Sequence, residues 1–214
     1  ASRGLGDVYK RQAGKSEEFD QMEAMLIENA SDYSPQQKVE AYKKLVAANP
    51  ALGESLNGKI KQTEGIGKPF ELAFKDVATG KDVSIAGLKG KVVIVDFWAT
   101  WCGPCIAELP EQKEMYERLH PKGLEIIGVS LDQGEAEGGK KELTDFIAKE
   151  KLPWPIYYQG NGWESAFSRG WGIQSIPAYF VVDQNGNLAA TGLRGPQLTE
   201  MVEKLLASPP VAAK

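Results

Sequence analysis

Residues 91–105 read K-V-V-I-V-D-F-W-A-T-W-C-G-P-C, from Lys91 to Cys105. The first eight are a near-continuous β-branched run, the pattern of a strand buried on both faces. The next seven hold Cys102 and Cys105, the only cysteines in the 214-residue chain. Two thiols three residues apart at the start of a helix can close a small disulfide ring and reopen it with little backbone movement. Such a short loop removes little entropy from the unfolded chain, so the pair would make a poor staple. A tetrahedral zinc site needs four ligands, and His120 is the sole histidine. A working dithiol is the reading the spacing favours.

The surroundings place that dithiol. A helix is predicted from about Gly103 to Leu119, and L-E-I-I-G-V-S (Leu124–Ser130) reads as a second buried strand. Strand 91–98, helix 103–119 and strand 124–130 form a right-handed βαβ unit with parallel strands. The loops after the carboxyl ends of such strands gather on one edge, where active sites of open α/β sheets lie. W-A-T-W-C-G-P-C and D-Q-G-E-A-E-G-G (132–139) both fall there. A second helix is expected at about 140–150. Ala178–Asp183 and Leu188–Leu193 flank Q-N-G-N and read as an antiparallel hairpin. A last helix spans about 197–206, and 208–214 is a tail.

The amino-terminal third differs. Residues 15–32 carry Phe19, Met22, Met25, Leu26 and Ala30 at helical spacing. Ser34-Pro35-Gln36-Gln37 has the form of a capping box with proline in the first turn. Val39, Tyr42, Leu45 and Val46 make the stripe of this second helix, which Asn49-Pro50 ends. Leu52, Leu56 and Ile60 continue as a weaker third helix. Residues 13–65 thus form a helical extension, with E-G-I-G-K-P (64–69) as linker. G-D-V-Y-K-R-Q (6–12) resembles translated adapter DNA, so residues 1–12 are set aside as an artefact or disordered tail. The native start, with any signal peptide or membrane anchor, is expected upstream.

Charge narrows the function classes. With 25 Lys and Arg against 29 Asp and Glu, the net charge of −4 is unlike that of a general nucleic-acid binder. No apolar run approaches the roughly 18 residues of a membrane span. Two cysteines do not mark a compartment.

V-D-F-W-A-T-W-C-G-P-C closely resembles the active-site run of the thioredoxin superfamily. The segment from about Ile66 to Ala207 resembles its TlpA-, ResA- and redoxin-like branch, related to the AhpC/TSA proteins. The order K-G-K-V-V-I-V-D-F-W, E-L-P, G-V-S-L-D, G-I-Q-S-I-P-A-Y-F-V-V-D-Q-N-G carries that resemblance over about two-thirds of the chain. It implies an α/β, thioredoxin-like fold, a central mixed sheet flanked by helices, here with the helical extension in front. It implies a cis peptide between Ile176 and Pro177 and a thiol–disulfide oxidoreductase with no cofactor beyond a Cys102–Cys105 disulfide.

Roles follow residue by residue. Cys102, at the helix N-terminus that favours its thiolate, is the expected exposed nucleophile, and Cys105 the shielded resolving thiol. Asp96 matches the buried aspartate of thioredoxin, and Glu108, in C-I-A-E-L-P, matches the glutamate of the ResA-like branch. Either could relay the resolving thiol's proton, or be a solvated strand-end acid and an ordinary first-turn acid. Pro177 stands opposite the dithiol. Trp101, Gly103, Pro104 and the Ile176 backbone are the substrate-binding candidates. Trp98 is assigned to the core, and Trp154, Trp163 and Trp171 to core or loop anchors. His120 is read as a helix-terminus residue.

The expected activity is protein-disulfide reduction through a mixed disulfide, with protein disulfide substrates and an upstream thiol donor as partners. A thiol peroxidase is the nearer alternative, but Ala99 and Val95 stand where that pattern has threonine and proline. A module holding Cu(I), or recruiting a partner or dimerising through the helical extension, is the alternative of another class. The branch suggests the bacterial periplasm or the extracytoplasmic membrane face, with the cytoplasm as the alternative.

Overall fold

The structure, a computed structural model, describes residues 17–208. The expectations for residues 1–12 and for the tail beyond Ser208 lie outside the described residues. Two compact units meet in the chain between Glu64 and Gly65.

The first unit is helical: α1 (Glu17–Asn29), α2 (Pro35–Ala48) and α3 (Gly53–Gly65, whose last residue falls in the second unit). Ser34 caps α2 in a full capping box, its hydroxyl accepting from Gln37 N–H and the Gln37 side chain accepting from Ser34 N–H. Asn49 then caps the proline turn that follows. The core is Ile27, Val39, Tyr42, Leu45, Leu52, Leu56 and Ile60. On α1 the inward stripe differs from the expected one. Met22, Met25 and Leu26 are exposed, Ile27 is the buried residue, and the Phe19 side chain lies outside the described residues. Apolar residues occur on both sides of this helix, so spacing alone could not select the face.

The second unit is built on a five-stranded sheet. Its strands are β3 (Val92–Trp98), β4 (Leu124–Ser130), β5 (Ile156–Tyr158), β6 (Ala178–Val182) and β7 (Leu188–Thr191), after a small hairpin β1 (Ala73–Lys75) and β2 (Asp82–Ser84). The sheet order is β5-β4-β3-β6-β7. β3 is parallel to β4 and antiparallel to β6, and every residue of β3 and β4 is buried. Helix α4 (Gly103–Leu119) links β3 to β4; α5 (Gly139–Glu150), α6 (Ala166–Gly170) and α7 (Gly195–Ala207) complete the helices. The sheet is mixed and flanked by helices, as expected.

The segment Gly67–Val77 crosses from one side of the sheet to the other. Gly67 N–H donates to Leu188 O, Leu188 N–H to Lys68 O and Phe70 N–H to Gly186 O, all along β7 and its turn. Ten residues on, Val77 N–H donates to Ile156 O while the Asp76 carboxylate accepts Ile156 N–H on β5. β1, β2 and β5, three residues each, were not anticipated.

Candidate active site

The loop after β3 and the head of α4 hold the cysteines. Cys102 is the N-cap of α4, with extended backbone, and its Sγ accepts the Cys105 N–H at 3.2 Å. Pro104 occupies the first turn, where a missing N–H costs nothing. The two cysteines form a disulfide, with Cα atoms 5.3 Å apart. Gly103 and Pro104 are exposed on the rim. The expected contrast in exposure is absent: Cys102 is 4% exposed and Cys105 2%. With the disulfide closed, both residues are tucked beside Trp98 and Ala99 in the same core.

Opposite lies the start of β6. Phe97 pairs with Ala178, so Ile176 and Pro177 arrive at the carboxyl end of β3, on the edge that carries the cysteine loop. The Ile176–Pro177 peptide is cis. Pro177 is buried and Ile176 half-buried.

Asp96 points into the core and is 3% exposed; its Oδ1 meets no hydrogen-bond donor. Burial pushes its carboxyl up to about 8, against the opposing effect of a Gln112 hydrogen bond and with help from the Glu108 charge. It is therefore no solvated strand-end acid. Glu108 is engaged on both oxygens: the Tyr179 hydroxyl donates to Oε2, and the Arg194 guanidinium pairs with Oε1. Gln112 Nε2 donates to the Tyr179 oxygen at 2.8 Å. Burial, Asp96 and Glu108 together hold the Tyr179 phenol protonated well above its ordinary range. Gln112, Tyr179, Glu108 and Arg194 thus form one hydrogen-bonded chain from the core to the surface, with Asp96 electrostatically coupled to its inner end, beside a small cavity of about 80 Å³.

Asp132 fixes the loop from beneath. Buried at the end of β4, it accepts the Thr100 N–H at 3.1 Å and the Thr100 hydroxyl at 2.5 Å, and the Ser130 hydroxyl at 2.7 Å. The loop 132–139 therefore does meet W-A-T-W on one edge. Of the five tryptophans, Trp98, Trp154 and Trp171 are buried, whereas Trp101 is 49% and Trp163 38% exposed. Of the two expectations for Trp163, core or loop anchor, the core one fails: it stands half-exposed in the turn Gly162–Glu164. His120 stacks on Tyr116 just past α4, its Nδ1 2.9 Å from Leu124 O. Tyr179, Gln112, Arg194 and Asp132 were not assigned from sequence, and Trp163 was read only as a core or loop anchor. Of these, Asp132 sits inside the motif G-V-S-L-D and Tyr179 inside G-I-Q-S-I-P-A-Y-F-V-V-D-Q-N-G; the other three lie outside the quoted motifs.

Among the described residues no group of three or more His, Cys, Asp or Glu stands together as a metal site.

Residues 66–206 match the Redoxin family. The chain belongs to that family, in the TlpA/ResA-like branch of the thioredoxin superfamily. This redoxin is 29% identical over 127 residues to the thiol-disulfide oxidoreductase ResA of Bacillus thuringiensis subsp. konkukian, covering 59% of this chain and 68% of that one. It is 30% identical over 125 residues to sporulation thiol-disulfide oxidoreductase A of Bacillus subtilis, covering 58% and 72%. Among solved structures, the thioredoxin domain of a Bacteroides vulgatus thiol-disulfide oxidoreductase is similar at TM-score 0.54 and 32% identity, covering 64% and 94%. This redoxin is an oxidoreductase of thiols and disulfides, and its one cysteine pair stands at disulfide distance.

Proposed function

We propose that the chain is a protein-disulfide reductase whose working form is the Cys102–Cys105 dithiol. The observation that carries this is a disulfide whose first sulfur caps a helix, on the sheet edge shared with cis-Pro177. A helix N-terminus stabilises the Cys102 thiolate. That thiolate attacks one sulfur of the substrate disulfide; the substrate S–S bond breaks, and one substrate thiolate leaves. Cys105 then gives up its proton, and its thiolate attacks Cys102 Sγ. The mixed disulfide breaks, releasing the second substrate thiol and leaving the enzyme disulfide, so two electrons pass from enzyme to substrate. Asp96, with its carboxyl held near 8, is the proposed acceptor of the Cys105 proton. Glu108, tied to it through Tyr179 and Gln112, is the proposed route of that proton to solvent. The exposed Gly103 and Pro104, Trp101 and the Ile176 backbone are the proposed substrate contacts.

No cofactor beyond the disulfide enters this scheme. An upstream thiol donor re-reduces the pair, at the periplasmic or extracytoplasmic face, and pairing through α1–α3 belongs to the same proposal. Among the described residues no helix is long and apolar enough to cross a membrane. The test is alkylation of the reduced protein across pH, read by mass spectrometry. Cys102 is expected to react with a pKa below the free-thiol value of about 8.5, and Cys105 slowly. Cys102→Ser should abolish reduction of a protein disulfide. Equal reactivity of the two thiols would overturn the assignment of roles.

A further inference from the structure

Trp101 and Trp163 are the large aromatic side chains that the redox unit leaves exposed among its described residues. Their rings lie 6.1 Å apart, tilted by 55°, so they form one continuous aromatic surface. Indoles have about 150–250 Å² of surface to bury, and with Trp101 49% and Trp163 38% exposed a substantial part of each is left in water. The pair is also held in place. The Asp132 carboxylate takes the Thr100 N–H, one residue before Trp101, and the Asp132 carbonyl takes the Gly162 N–H at 3.1 Å, one residue before Trp163. The Ser165 hydroxyl closes the second loop on Gly162 O at 2.7 Å. One buried residue thereby sets both rings, although 62 residues separate them in sequence. Glu164, beside Trp163, is already paired with Arg169. The charge next to Trp163 in the chain is therefore balanced, and the two rings supply the apolar part of this surface.

We infer that Trp163, with Trp101, forms a substrate subsite for an apolar side chain, best an aromatic one, within a few residues of the substrate's disulfide-bonded cysteine. Continuity with the reaction identifies the occupant. A substrate disulfide must reach Cys102, the chain neighbour of Trp101, so the polypeptide flanking the substrate cysteine passes over the two rings. Aromatic contacts there favour such a flank over a polar one. The inference rests on the reductase reading above and adds the class of substrate sequence.

The test uses the full chain, reduced, with synthetic disulfide-bridged peptides that differ at one position beside the cysteine: Phe, Ser or Asp. For the wild-type chain, kcat/KM is expected to be about tenfold higher for the Phe peptide than for the Ser peptide. Trp163→Ala should bring that ratio to within about twofold, and Trp163→Phe should keep most of it. Hydroxyethyl disulfide, which has no flanking chain, should be reduced equally by all three forms, reporting an intact fold and dithiol. A preference that survives in Trp163→Ala, or that is missing in the wild type, would overturn the subsite. Cysteine-free versions of the same peptides, ranked by calorimetric Kd, read the subsite without turnover. If no form reduces hydroxyethyl disulfide, the reductase reading falls while that ranking still decides the subsite.

Discussion

Asp96 is an acid where its charge is disfavoured, and the consequence can be given a sign. Its ordinary value is 3.8 and burial raises it to about 8. Between these limits the unfolded chain is ionised at this position while the folded chain keeps the proton. The unfolded state then binds fewer protons, so stability falls as pH rises through that window and levels off above it. Asp96→Asn removes this dependence. Its melting temperature should match the wild type near pH 4 and exceed it by roughly 5 °C at pH 8, read by calorimetry. The same substitution should slow release of the mixed disulfide by about tenfold or more, with loss of the limb of the pH profile near 8. A residue's partners decide how much of this could be read beforehand. Asp96 stood beside the dithiol in a matched motif and could be singled out. Tyr179 lies in A-Y-F-V-V, where an aromatic residue is simply a good strand former. Its hydroxyl matters only because α4 brings Glu108 and Gln112 to it from about seventy positions away.

At the scale of elements, β3, α4 and β4 were legible because each announces itself locally: two unbroken apolar strands and a helix opened by Cys102 and Pro104. The helix runs on through Pro110, whose absent N–H leaves the Ile106 carbonyl without its usual helical partner. β5 was not legible, since P-W-P-I-Y-Y looks like a loop and becomes a strand through bonds to Gly128, Asp76 and Val77. Where β4 meets its neighbours the packing is tightest at Gly128. A Cβ there would sit 2.4 Å from Ile156 Cδ1 and 2.7 Å from Trp98 Nε1. Both neighbours are buried and cannot swing clear. Gly128→Ala is expected to destabilise the chain by about 2 kcal/mol, seen as a lower urea midpoint with an unchanged slope. A neutral result would mean that β5 yields more readily than its hydrogen bonds imply.

On the scale of the whole molecule, the two units have separate cores, a helical one of seven buried residues among those described and a much larger one around the sheet. The cysteines and every group discussed around them belong to the second. Removing residues 1–64, which takes away no group of the site, is therefore expected to leave the rate of hydroxyethyl disulfide reduction within about twofold. A larger loss would assign the helices a part in turnover. Where such a cut is made matters greatly. The segment Gly67–Val77 ties β7 to β5, the two outermost strands of the sheet, whose backbone groups would otherwise face outward. Open strand edges are templates for pairing with other chains. A chain begun at Gly65 retains its own shield against edge-to-edge aggregation. One begun after Val77 keeps the whole dithiol site and loses both guards, and it should fail by self-association while its chemistry is intact.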